Sequence, residues 1–198
     1  MKKSIILTIL IMSVISMNGQ NAVIDNIMTR RSVRQYLDKP VEREKLQTIA
    51  ECGIYAPNAL NRQNWAVRIV DDKAFIDGAT DIFRRLNPEM VAADANFKNM
   101  FRNAAALICV AVPDVAYAQV DAGLMGENMM LAAHSLGLGT CCLGSSAREL
   151  TDNAAYKEYL DRLNLPNGFK LVYILAVGYP EVVPPVKERD KSKIQFVR

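Results

Sequence analysis

The feature that most restricts how this chain can fold is a run of eight apolar residues, AALICVAV, at positions 105–112. A second run, LVYILAVGY, occupies residues 171–179. Apolar runs of this length without polar alternation are typical of strands that are buried on both faces of a sheet. A sheet of that kind needs a layer of helices on each face. The two runs therefore predict a layered domain with the sheet at its centre.

Helical patterns surround these runs. Helices and strands do not alternate strictly, so the α+β class is favoured over a doubly wound parallel sheet. No repeat or long linker divides the chain, which predicts one domain. Helices are predicted at residues 22–29, from residue 40 to the loop at 56–58, and at 73–86, 98–103, 120–138 and 148–163, with a further strand at 65–70.

The first nineteen residues have the pattern of a secretory signal peptide. Lys2 and Lys3 precede an almost wholly apolar stretch from Ser4 to Ile15, and small and polar residues follow. This stretch is short for a membrane span. We therefore expect cleavage near Gly19, export to the periplasm or cell exterior, no stable membrane span afterwards, and a mature domain at residues 20–198. The alternatives are an uncleaved leader that tethers the protein and an amphipathic first helix.

Charge and cysteine content argue against several classes of function. The whole chain has a formal net charge of +3, and losing Lys2 and Lys3 with the leader lowers it to +1, so nucleic acid is not an expected partner. Four cysteines and one histidine without a CxxC pair make a Cys/His metal site unexpected. An exported chain could pair its cysteines. Because Cys52 and Cys109 lie in apolar runs, we expect free thiols.

The segment RRSVR at residues 30–34 concentrates groups that bind phosphate. Arg30, Arg31 and Arg34 supply guanidinium groups, and Ser32 supplies a hydroxyl. A planar guanidinium donates paired hydrogen bonds to phosphate oxygens, so the segment is a candidate phosphate site. The alternative is that these cations follow a helix C-terminus and stabilise its dipole.

Two further segments suit a flat, polar ligand. The loop APNALNRQNW at residues 56–65 contains Asn58, Asn61 and Gln63, whose carboxamides both donate and accept hydrogen bonds. The segment GLGTCCLGS at residues 137–145 has glycines that permit close approach of the backbone to a ligand. Turn formation by Asn and helix capping by Gly are the alternatives.

Taken in order, these segments resemble the FMN-dependent nitroreductase family. Its members begin with an RRSxR-like segment, continue with an APSxxNxQPW-like loop, and carry GLGT after a long Ala-rich helix. They end with a VGYP-like turn and a basic pair. Here the turn is at residues 177–180 and the pair is Lys187 and Arg189, so the resemblance spans residues 22–198.

The resemblance implies an α+β fold with a central, mostly antiparallel sheet flanked by helices. It also implies a homodimer that exchanges C-terminal tails and binds FMN between its subunits. NAD(P)H is the implied co-substrate. The implied FMN-binding residues are Arg30, Arg31, Ser32, Arg34, Pro57, Asn58, Asn61, Gln63, Leu143, Gly144, Lys187 and Arg189.

Each of these residues takes a role from its place in the family pattern. Arg30, Arg34 and Arg189 would hold the phosphate, while Ser32 and Lys187 would bind the phosphate or the ribityl chain. The loop would bind the ribityl chain and pyrimidine edge through Asn61 and Gln63 and line the ring with Pro57 and Asn58. Across the ring, backbone N–H groups would come from Leu143 and Gly144.

The implied reaction is a ping-pong transfer in which NAD(P)H reduces FMN and a small acceptor, such as a nitroaromatic or a quinone, is then reduced. No catalytic side chain is implied, because the cofactor supplies the chemistry, and His134 is expected to be structural. The alternatives are a flavin-binding protein without turnover and a member with another chemistry, such as dehalogenation or flavin destruction. Asn58 and Asn64 stand where the family loop usually has Ser and Pro, which leaves the substrate side open.

Overall fold

A computed structural model describes residues 21–198, and the predicted signal peptide lies outside the described residues. The described chain contains a four-stranded sheet in which every neighbouring pair of strands is antiparallel. This confirms the α+β class and the mostly antiparallel sheet. In chain order the strands are β1 (Ala66–Val70), β2 (Ala106–Pro113), β3 (Gly139–Leu143) and β4 (Phe169–Gly178), and in space their order is β1-β2-β4-β3.

Helices cover both faces of the sheet. They are α1 (Ala22–Thr29), α2 (Arg43–Ile54), α3 (Lys73–Leu86), α4 (Pro88–Ala92), α5 (Ala118–Ser135), α6 (Gly144–Asp152) and α7 (Lys157–Arg162). One hydrophobic cluster joins α2 and α5 to the first face, and a second joins α3, α6 and the residues around α7 to the other. The chain thus forms the three layers that its apolar runs predict.

Strand β2 shows why both layers are needed. Leu107 and Cys109 belong to the cluster on the α3 and α6 face, while Ile108 and Val110 belong to the cluster on the α2 and α5 face, and all four are fully buried. Burying each large aliphatic side chain contributes about 1.5–3 kcal/mol. The prediction of a central strand buried on both faces is confirmed.

The helix predicted at residues 98–103 is wrong. Residues 98–103 form turns rather than a helix, because Asn99 and Asn103 side-chain oxygens accept backbone N–H groups within the segment and so compete with helical bonds. Strand β3 was not among the predicted elements. Its pairing with β4 supplies backbone hydrogen bonds that local sequence does not reveal.

The predicted helix 148–163 is also wrong as a single element. Helix α6 begins earlier, at Gly144, and ends before Asn153, whose backbone is extended and whose side chain accepts the N–H of Ala155. A short 3-10 turn and α7 follow. The helix predicted from residue 40 begins at Arg43, because Glu42 still has extended backbone angles.

Helix α5 has one buried and one exposed face. Met125, Gly126 and Met129 lie against the chain's own core, whereas Val120 is 60% and Leu124 is 44% exposed. Within residues 21–198, no helix combines the length and apolar character that crossing a membrane would require.

Candidate active site

The RRSVR segment lies alongside the strands that carry the other motifs. The N–H of Val33 donates to the carbonyl oxygen of Thr140 at 2.9 Å, and Ser32 forms a parallel bridge with Thr140. The N–H of Leu37 donates to the carbonyl oxygen of Tyr179, also at 2.9 Å. Three of the four motifs, which are far apart in sequence, therefore meet at one end of the sheet.

Close packing explains why two of the motif positions are glycine. A Cβ atom on Gly139 would lie 2.7 Å from the Cβ of Val33, and one on Gly178 would lie 2.8 Å from the ring of Tyr36. Gly137 has a φ of +76° and ends α5, as expected for a helix-capping glycine. The glycines thus let the RRSVR segment pack against the strand ends.

The arginines of this segment have different environments. The Nε of Arg30 lies 3.3 Å from a carboxylate oxygen of Glu127, yet it is buried and lacks an aligned hydrogen bond. Arg31 donates to backbone carbonyls at the end of α1, and Arg34 donates to the carbonyl of Ser32. Arg30 and Arg34 thus have donors left for a ligand.

A cavity of about 540 Å³ opens between α3, α4, the turns at residues 99–103 and the start of α6. Its volume is within the roughly 300–1,000 Å³ of small-molecule sites. Arg34 and Leu143, from two different motifs, both line it. Its apolar wall includes Phe83 and Phe97, whose rings stack with centroids 5.8 Å apart.

The cavity contains unneutralised positive charge. Arg34, Arg102 and Arg148 line it, and none of the three forms an ion pair in the described part of the chain. Asp94 and Glu149 also line it, which leaves a formal charge of +1 on its walls. An anionic ligand is therefore favoured.

The N-terminus of α6 faces the same cavity. Leu143 occupies the N-cap position and cannot cap the helix with its side chain, and Ser145 and Ser146 line the cavity. Gly144 lies between Leu143 and Ser145, and a Cβ atom added to it would meet no other atom within 4 Å. Uncapped N–H groups and the positive end of the helix dipole favour electron-rich atoms.

The loop at residues 57–64 lies elsewhere in the protomer. The N–H of Ala59 donates to both carboxylate oxygens of Asp121 in α5, at 3.1 and 3.2 Å. The loop is thus attached to the helical layer on the face opposite the cavity, and it enters β1 at one edge of the sheet. Leu143 leaves β3 at the other edge, about 14 Å away by strand spacing alone.

The predicted residues therefore fall into three groups. Arg34 and Leu143 line the cavity and Gly144 follows Leu143, while Arg30, Arg31 and Ser32 precede Arg34 in the same segment. Lys187 and Arg189 are exposed in the segment after β4. The remaining four form part of the distant loop: Pro57, Asn58, Asn61 and Gln63.

Sequence reasoning missed Arg102, Arg148 and Ser145 as cavity-lining residues. Arg102 has a φ of +59°, and the turn that places it depends on the Asn side chains beside it. The first turn of α6 was also missed, because the predicted helix begins only at residue 148. The spaced asparagines Asn96, Asn99 and Asn103 before a buried strand are the local signal that could have identified the turn.

The four cysteines are free thiols, and their environments differ. Cys141 is buried and Cys142 is exposed, because successive residues of β3 point to opposite faces. Burial raises the pKa of Cys141, while the nearby charges of Arg34 and Arg102 lower it. Burial raises the pKa of Cys109 to about 12, so this thiol remains neutral.

His134 lies at the end of α5, away from the cavity. Its Nε2 is 2.9 Å from the hydroxyl oxygen of Thr29, and burial followed by the charges of Arg30 and Arg31 lowers its pKa. A larger pocket of about 820 Å³ lies beside residues 36–40, and many of its charged side chains pair with one another or with neighbours. No group of three or more potential metal ligands is present in residues 21–198.

Comparison with known proteins identifies the family. The model of the Nitroreductase family matches residues 27–179. An NADPH-flavin oxidoreductase of Vibrio harveyi is 29% identical over 191 residues, covering 85% of this chain and 70% of that protein.

Solved structures match more completely. A nitroreductase of Bacteroides fragilis with bound FMN superposes with a TM-score of 0.78 at 25% identity, covering 90% of this chain and all of that one. An FMN-bound nitroreductase of Desulfitobacterium hafniense has the same TM-score and coverage at 26% identity.

Proposed function

Because the chain belongs to the nitroreductase family, we propose that it is an FMN-dependent oxidoreductase that uses NAD(P)H to reduce small acceptors such as nitroaromatics and quinones. The observation that supports this most is the cavity at which Arg34 and Leu143 meet beside the uncapped N-terminus of α6. The relatives that are named as flavin oxidoreductases and FMN-bound nitroreductases support the same assignment.

The residues present fit FMN. A buried Arg30 Nε without a hydrogen bond and an Arg34 that bonds to one backbone carbonyl leave donors for a phosphate or a ring oxygen. The positive charge on the cavity walls suits an anionic cofactor. The apolar side, with Phe83, Phe97 and Leu143, suits a flat ring system.

When bound, FMN would supply the redox chemistry that connects NAD(P)H to the second substrate. Chain residues bind and orient the reactants. The N–H groups at Gly144 and Ser145 would donate to the electron-rich edge of the ring, and Arg34 would help to hold the phosphate. Phe83 and Phe97 would exclude water from the substrate side.

The proposed site is completed by a second copy of the chain. The loop with Asn61 and Gln63 is anchored on the face of the sheet opposite the cavity. The loop and the cavity of one protomer therefore do not reach the same ligand. A homodimer in which the loop of one subunit faces the cavity of the other would unite them.

Exposed apolar side chains support the same dimer. Val120 and Leu124 on α5, with Ile24 and Met28 on α1, are 44–68% exposed. The segment after residue 180 exposes Phe196 and Val197 almost fully, together with Val182, Val183, Val186 and Ile194. A tail that packs on a partner would bury these residues and carry Lys187 and Arg189 to the partner's cavity.

Export is part of the proposal, on the pattern of residues 1–19. Cells that express the whole chain should contain it in the exported fraction, with a new N-terminus near residue 20. Recovery of the full-length chain in the cytoplasm would contradict export. Recovery with membranes, still carrying Met1, would indicate an uncleaved leader.

The test of function is the visible spectrum of the purified mature protein, followed by oxidation of NADH and NADPH with a nitroaromatic and a quinone. We expect bound FMN and acceptor-dependent oxidation. A colourless protein that takes up no FMN would contradict the assignment. Bound FMN without oxidation by any acceptor would favour a flavin-binding protein without turnover.

A further inference from the structure

Asp121 is the one charged residue that is buried in the described chain, with 8% of its surface exposed. Within residues 21–198 it forms no ion pair, and its carboxylate oxygens lie 3.1 and 3.2 Å from the N–H of Ala59. A buried carboxylate without a cation is costly unless hydrogen bonds satisfy it. The hydrogen bond from Ala59 therefore offsets part of the cost of burying the Asp121 carboxylate.

The loop that Asp121 holds has an unusual backbone. Leu60, Asn61 and Gln63 have φ values of 54°, 52° and 53°, which residues other than glycine adopt rarely. A hydrogen bond within the loop stabilises this conformation: the side-chain oxygen of Asn58 accepts the N–H of Gln63 at 3.0 Å. Such conformations persist when surrounding contacts determine them.

Apart from the bond that the adjacent Trp65 N–H donates to the carbonyl oxygen of Gln63, the contact of the Ala59 N–H with Asp121 is the one hydrogen bond that joins residues 57–64 to the rest of the described chain. Asp121 lies in the first turn of α5, and its own N–H donates to the carbonyl of Tyr117 at 2.9 Å. The positive end of the α5 dipole stabilises its charge. The carboxylate therefore ties the loop to the start of a long, packed helix.

We infer that Asp121 is a positioning residue for flavin binding: through Ala59 it fixes the loop that presents Asn61 and Gln63 to FMN. The inference rests on the proposed function, in which this loop binds FMN. Asp121 itself does not touch the flavin. Its effect should appear as a change in FMN affinity and in the environment of the bound ring.

The direct test uses the purified flavoprotein and two substitutions of different chemistry. Asp121→Ala removes the acceptor, whereas Asp121→Asn keeps one side-chain oxygen that can accept the Ala59 N–H. Asp114→Ala is the matched control, because Asp114 is exposed and precedes the same helix. The dissociation constant for FMN is measured from recovery of flavin fluorescence on dilution, and the ring environment by visible circular dichroism.

A second variant removes the donor instead and keeps the test decisive if Asp121→Ala does not fold. Asn58 has the extended backbone that precedes proline readily, and Ala59 begins a helical turn, so Ala59→Pro is compatible with the local backbone. It deletes the N–H and leaves the carboxylate in place.

We expect Asp121→Ala and Ala59→Pro each to raise the FMN dissociation constant about tenfold or more and to alter the flavin dichroism. Asp121→Asn should remain within about threefold of the wild type, and Asp114→Ala should match it. Equal FMN binding by wild type and Asp121→Ala would overturn the inference. So would an Asp121→Asn variant as weak as Asp121→Ala, since lost charge rather than the hydrogen bond would then be the cause. A wild type that binds no FMN would overturn the proposed function as well.

Discussion

The cavity and the loop at residues 57–64 contrast sharply within one protomer. The cavity lies on the α3 and α6 face, next to three motifs that backbone hydrogen bonds hold together. The loop lies toward the other face, attached to α5 through Asp121. Both regions carry polar groups suited to one flavin, yet the sheet separates them. We propose that a complete site takes the cavity from one chain and the loop from another, and the predictions below test the two sides of that site.

Removing the tail should have the largest effect. A chain that ends at Glu181 keeps every strand and helix named above and lacks only the tail, which contains a short 3-10 turn at Lys191–Lys193. If the tail holds the dimer together, this variant should be a folded monomer without bound FMN. Light scattering and the visible spectrum measure both properties. A flavin-bound dimer of normal affinity would show that the tail is not part of the site.

Loss of the phosphate-binding cations should come next. The double substitution Arg30→Ala and Arg189→Ala should weaken FMN binding at least about a hundredfold, because each charge-assisted contact contributes about 1.5–3 kcal/mol. Arg85→Ala, at an exposed position of α3 outside the cavity, is the control. Unchanged flavin content in the double variant would contradict the roles given to these two arginines.

A smaller effect is expected where the RRSVR segment packs on β3. Gly139→Ala would place a Cβ atom 2.7 Å from Val33 and should lower the free energy of unfolding by about 1–3 kcal/mol. Urea unfolding of the two proteins measures this. Gly123→Ala is the matched case, because its Cβ meets nothing within 4 Å in one chain.

The Gly123→Ala result sharpens the comparison between one chain and two. If α5 makes no contact with a partner at this position, Gly123→Ala should raise the free energy of unfolding by about 0.5–1 kcal/mol, because Ala favours the helix over Gly. If α5 packs closely on a partner, the added methyl group should instead weaken the dimer. A dimer of unaltered affinity would show that Gly123 does not lie at the contact.

His134 should matter least. His134→Gln should leave kcat/KM for NADPH oxidation within about twofold, since the side chain lies outside the cavity. Because folding lowers the pKa of His134, the unfolded chain binds a proton at higher pH than the folded one. The wild type should therefore lose slightly more stability than the variant as pH falls below about 6.5. A large loss of rate in the variant would assign His134 a role in the reaction.

The fold was largely predictable because its strongest signals are long. The runs that became β2 and β4 admit few structures other than strands buried on both faces, and both were located within two residues. Prediction from the hydrophobic pattern failed where side chains hydrogen-bond to the nearby backbone and replace helical hydrogen bonds. Asn99 and Asn103 build turns in a segment whose composition resembles a helix, and Asn153 divides what was expected as one helix.

The FMN-binding residues remain a prediction from sequence, and the structure adds where each of them lies. The ordered motifs identified Arg34 and Leu143, which meet at the cavity although 109 positions separate them. They did not reveal Arg102, whose place depends on a turn, or Asp121, whose role depends on a contact across 62 positions. Contacts of this range are set by packing of whole elements, which local patterns do not encode.

The central claim, that each site takes its cavity from one chain and its loop from the other, can be tested by complementation. One variant carries Arg30→Ala and Arg34→Ala, and the other carries Asn61→Ala and Gln63→Ala. Each alone should bind little FMN. When both are co-expressed with different tags and the mixed dimer is purified, one of its two sites has no substitution. We predict about one FMN per two chains in that dimer. A mixed dimer that binds no more FMN than either variant alone would contradict the claim.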